Sequence, residues 1–63
     1  MFTYRCFILD KHNHISERLA IECENDGEAI IKAGAVLGRR PGMIAIEVWD
    51  GARLVQKLGR TPS

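Results

Sequence analysis

Residues 25–41 read NDGEAIIKAGAVLGRRP and contain both the start and the stop of a helix. Asn25 suits the N-cap, where a side-chain oxygen takes an otherwise orphaned backbone N–H. Asp26 and Glu28 fall in the first turn, where acidic groups complement the helix dipole, and Glu28 stands three residues after the cap as in a capping box. From residue 26 to about residue 37, Ala29, Ile30, Ala33 and Leu37 fall on one stripe, flanked by Val36, while Glu28, Lys32 and Ala35 face away. Gly34 weakens the helix by about 1 kcal/mol relative to alanine, and a close helix–sheet contact would account for it. Gly38 suits a left-handed C-cap, Arg39 and Arg40 sit at the negative end of the dipole, and Pro41 blocks continuation.

The segments on either side alternate. Residues 2–9 (FTYRCFIL) are β-branched, aromatic or alternating and stop at the polar cluster DKHNH, residues 10–14. Ile15, Glu17, Leu19, Ile21 and Cys23 then alternate with Ser16, Arg18, Ala20, Glu22 and Glu24, giving a second strand with one mainly apolar face. Beyond the helix, Ile44, Ile46 and Val48 alternate with Ala45, Glu47 and Trp49, and Asp50-Gly51 signals a hairpin into Arg53, Leu54, Val55 and Leu58. Two hairpin registers fit. A two-residue turn sets Trp49 opposite Ala52 and Glu47 opposite Leu54; a three-residue turn sets Glu47 opposite Arg53 and Ile46 opposite Leu54. The second is preferred because it joins opposite charges and keeps Leu54 on the apolar face.

The expected architecture is α+β, a four-stranded mainly antiparallel sheet with one helix on one face in the order ββαββ. The crossover through the helix makes the second and third strands parallel, so strand order 2-1-3-4, with the first strand between them, leaves every neighbouring pair antiparallel. Order 1-2-3-4 is the rival. One helix covers one face only. With Ile44, Ile46 and Val48 turned to the helix, Trp49 projects from the other side, and the first strand is apolar on both: Phe2, Tyr4, Cys6 and Ile8 on one, Phe7 and Leu9 on the other. A surface of Trp49, Phe7 and Leu9 rimmed by Arg5, Glu47 and Arg53 has the character of an interaction face, and self-association is its commonest use. The plain alternative is that Trp49 lies over the aliphatic stems of its neighbours.

Sixty-three residues allow one thin core, assigned to residues 1–58 with a flexible tail at 59–63. Nine Lys and Arg against eight Asp and Glu give a net charge of +1, which supplies no field to gather nucleic acid or an anionic membrane. No run approaches the ~20 apolar residues of a membrane span, and the N-terminus lacks signal-peptide features. Two cysteines are too few for a secreted disulfide scaffold, so a cytoplasmic protein with reduced thiols is expected.

Chemistry-bearing motifs are sparse. His12 and His14 form an HxH pair that would suit a metal or small-molecule sensor, but paired four-ligand zinc spacing is absent. Cys6 and Cys23 lie on neighbouring strands and read as buried thiols sooner than as a disulfide. Arg39, Arg40 and Lys11 are the phosphate contacts of an alternative in which the chain binds nucleic acid weakly; they are scattered and not interleaved with aromatics. No carboxylate pair, nucleophile or cofactor motif marks an enzyme.

The segments TYRCFILD (3–10), CENDGEA (23–29) and above all EVWDGARLV (47–55) resemble a group of short uncharacterised proteins common in rhizobia and related α-proteobacteria. The likeness covers nearly the whole chain and implies a bacterial cytoplasmic ββαββ protein without an assigned activity. The HNH turn departs from that group, in which Asp, Gly or Glu is expected.

Overall fold

The structure, a computed structural model, describes residues 1–59. Strands β1 (Phe2–Asp10) and β2 (Ile15–Cys23) precede helix α1 (Asp26–Gly38), and β3 (Met43–Asp50) and β4 (Arg53–Gly59) follow it. The sheet order is β2-β1-β3-β4 with all neighbours antiparallel, so the expected α+β fold and its preferred order are those observed. Gly59 belongs to β4, opposite Ala45, and is not part of a tail; the rest of the expected tail lies outside the described residues.

The helix begins as its sequence dictates. Asn25 Oδ1 accepts the Glu28 N–H at 2.8 Å, and Ala29, Ala33 and Leu37 are buried with Ile30 and Val36 beside them. Glu28 does not complete a capping box; its carboxylate lies 3.1 Å from Lys32 Nζ. The other end differs from expectation. Gly38 is helical, and the chain leaves through Arg39 at φ −89°, with Arg39 N–H donating to Val36 O and Arg40 N–H to Leu37 O. Tightened last turns satisfy those carbonyls without a left-handed glycine. Gly34 likewise needs no glycine, because it is exposed and an added Cβ would meet only Leu58 Cδ1, at 3.9 Å.

The core lies between α1 and one sheet face, where Tyr4, Cys6 and Ile8 of β1, Cys23 of β2 and Ile46 and Val48 of β3 are at most 2% exposed. Small residues at 29 and 33 let the helix approach this thin layer. Three single-residue bulges set the remaining side chains. Ser16 is the extra residue between the pairs Ile8↔Glu17 and Leu9↔Ile15, Ile44 the extra one between Leu9↔Ala45 and Asp10↔Met43, and Val55 the extra one between Val48↔Gln56 and Trp49↔Leu54. Each bulge inverts the alternation beyond it. Met43 therefore packs on the core in place of Ile44, which is 38% exposed, and Val55 packs inward while Leu54 stands opposite Trp49.

Neither expected register of the β3–β4 hairpin forms. Asp50 pairs with Arg53 across the turn Gly51-Ala52, and Glu47 pairs with Lys57, not with Arg53 or Leu54. Gly51 has φ +60° while Ala52 does not enter the left-handed region, the pattern of a II′ turn with glycine first.

Candidate functional site

The sheet face turned away from α1 is built from alternate residues of all four strands. Across the two central strands, Arg5 stands between Ala20 and Trp49, and Phe7 between Arg18 and Glu47. Trp49 and Phe7 are thus diagonal neighbours, within reach of one another's aromatic surface. Leu9 and Ala45, paired and each 4% exposed, form the closed end of this face. Trp49, Phe7, Leu9, Arg5 and Glu47 are therefore brought together, as the alternation implied.

Arg53 is not among them. Its partner Asp50 lies on the helix side, and its guanidinium reaches Asp26 at 3.2 Å and Asp50 at 3.1 Å. In its place the face gains Leu54 and Ile15, each 45% exposed. Both were assigned inward by strict alternation, and the bulges at Val55 and Ser16 turn them out. No signal in the sequence marks those bulges, because neither site carries glycine or proline.

Polar groups on this face are unevenly engaged. The Trp49 indole N–H donates to Glu47 Oε1 at 3.1 Å, and Lys57 Nζ stands 3.9 Å from the same carboxylate. Trp49 is half-buried, so its indole is partly laid down on its neighbours yet still presents surface. Arg5 and Arg18 have no ion-pair partner among the described residues. They flank a shallow groove of about 330 Å³ shared with Thr3, Phe7 and Ala20.

A second depression, of about 530 Å³, lies at the start of α1 between Phe2, Tyr4, Asp26 and the β3–β4 turn. Tyr4 Oη donates to Asp26 Oδ1 at 2.6 Å, and Arg53 clamps the other side of that carboxylate. The bond to Asp26, reinforced by burial, pushes the Tyr4 phenol up from 10.0 to about 12; the same bond and Arg53 hold the Asp26 carboxyl below its usual value. A phenol this reluctant to ionise is neither base nor nucleophile at neutral pH. The cluster pins the helix start to β1 and to the second hairpin.

The remaining candidates are held structurally. Asp10 Oδ1 accepts the backbone N–H groups of His12 and His14, at 2.8 and 3.1 Å, which lowers its pKa and fixes the turn around Asn13 at φ 63°. The two imidazole centroids are 6.3 Å apart, and no group of three metal-binding side chains occurs among the described residues. Arg40 donates to both oxygens of Glu17, at 3.2 and 2.6 Å, and lowers that carboxyl's pKa. Its charge is thereby compensated, and of the three proposed phosphate contacts Arg39 and Lys11 stay exposed at the same end of the sheet. Cys6 and Cys23 are free and fully buried, and burial pushes the Cys6 thiol up, away from the reactive thiolate. No helix among the described residues is long and apolar enough to cross a membrane.

Fold and surface together define a small ββαββ sheet domain with one uncovered face. No protein-family model, curated protein or solved structure matches the chain. These comparisons lend no support to the expected likeness to short α-proteobacterial proteins.

Proposed function

We propose that the chain is a non-enzymatic interaction module that binds a second copy of itself through the sheet face opposite α1, in the cytoplasm with both thiols reduced. The observation that carries this reading is the placement of Phe7 and Trp49 on the two central strands with exposed Ile15 and Leu54 beside them, while the helix occupies the other face. Aromatic and aliphatic surface at the centre of a patch with arginines around it is the composition of a protein–protein contact. A domain this small also gains most from a partner, since its own core is thin.

Sedimentation velocity tests it. At ~50 μM, a Kd of about 1 μM leaves the dimer dominant. The paired substitutions Phe7→Ser and Leu54→Ser should shift the boundary to a smaller species without changing the far-UV circular dichroism. Unchanged association in that variant would remove the face from consideration.

A further inference from the structure

We propose that β2 is a self-recognition edge, pairing antiparallel with β2 of a second copy about a two-fold axis at Ala20 to give a continuous eight-stranded sheet. This contact runs along the backbone edge of β2 and stands without the face described above, although Arg18 and Ala20 also border that face. The other free edge, β4, is interrupted by the bulge at Val55 and carries Lys57. From Glu17 to Cys23, by contrast, β2 has no bulge, proline, glycine or lysine to blunt it.

Polarity and charge fix the register. Lys32 Nζ donates to the Glu22 carbonyl at 3.1 Å, so that carbonyl faces away from β1. Alternation then puts the N–H and C=O groups of Arg18, Ala20 and Glu22 on the free edge. The carbonyl keeps a second lone pair for a partner strand. Centring the axis on Ala20 sets Arg18 against the partner's Glu22 twice and Leu19 against the partner's Ile21. Among the described residues neither the Arg18 nor the Glu22 side chain has an ion-pair partner. Centring on Arg18 or Glu22 opposes like charges, centring on Leu19 sets Glu17 against the partner's Ile21, and centring on Ile21 moves Arg18 against the partner's Glu24, past the strand end. The two helices lie on one side, four strands or ~19 Å apart, which clears their ~10 Å diameters.

Charge reversal in the full chain carrying Phe7→Ser and Leu54→Ser, in which only the edge contact is left to read, tests the register. Arg18→Glu or Glu22→Arg each turns two symmetric attractions into repulsions and should raise the dimer Kd roughly tenfold or more, whereas the double swap should return it to within about threefold of that unreversed background. Ala20→Pro removes an outward donor and should abolish the dimer while leaving the melting transition cooperative. Trp49→Ala separates the two surfaces: an edge dimer survives it. A wild-type monomer at ~100 μM, single reversals without effect, a double swap no better than the singles, or a dimer retained by Ala20→Pro would each overturn the proposal.

Discussion

Replacing Gly34 by alanine should stabilise the protein. Gly34 sits in the ninth position of the thirteen-residue α1, Asp26–Gly38, outside the left-handed region, so alanine takes its backbone angles without strain. An added Cβ finds only Leu58 Cδ1, at 3.9 Å, which is ordinary contact at the far end of a flexible side chain. The gain is the helix-propensity difference of about 1 kcal/mol, part of it from the reduced freedom of the unfolded chain. For a domain of this size that is worth ~4–8 °C in Tm. Urea and thermal unfolding of Gly34→Ala, followed by far-UV circular dichroism and Trp49 fluorescence, measure it. Gly51→Ala is the control of opposite sign, because φ +60° costs an L-residue ~1–2 kcal/mol. A Gly34→Ala variant less stable than wild type would refute the reasoning and show that the helix approaches β4 more closely than 3.9 Å.

Three other outcomes follow from the polar contacts and from burial. Tyr4 is the only tyrosine, so phenolate absorbance reports it directly, and its midpoint should lie near 12 in place of 10.0. Since the folded value is the raised one, the stability it contributes is complete below pH 10.0 and is lost as pH climbs towards about 12; a midpoint at the ordinary value would mean that the bond to Asp26 is not made. Glu17 and Asp26 are depressed, so their contributions are complete above the ordinary carboxylate range and disappear as pH falls through their lowered values. Glu17→Gln and Asp26→Asn should therefore flatten the acid limb of stability against pH, and an unchanged limb would dissociate it from these pairs. Cys6 and Cys23, both fully buried, should react with a disulfide reagent only at the rate of opening, with urea releasing both; immediate reaction of native protein would contradict their burial.

The elements whose signals are local were legible in the sequence. Asn25, the stripe Ala29–Ala33–Leu37 and the alternation of residues 2–9 each act within a few residues, and the crossover rule then favoured order 2-1-3-4 while leaving 1-2-3-4 open. What escaped were single-residue insertions and contacts between distant segments. Ser16, Ile44 and Val55 become extra residues because the ladders on either side of them are satisfied in different registers. Strict alternation therefore misassigned Ile15, Ile44 and Leu54. The Asp50-Gly51 pair marked the hairpin, but the turn uses Gly51 as its first central residue, which shifts Arg53 to the helix side and away from Glu47. Glu17 interrupts the mainly apolar row of β2, and the group that compensates it, Arg40, lies twenty-three residues on. Tyr4 and Asp26 are separated by a whole strand in the same way.

The emission of Trp49, the only tryptophan in the chain, gives the most direct test of the claim that the uncovered sheet face is a contact surface. On dilution from concentrated solution its maximum should move to longer wavelength along the same isotherm that sedimentation gives for dissociation. An emission maximum that stays constant while the protein passes from associated to monomeric, or a protein that never associates, would contradict it.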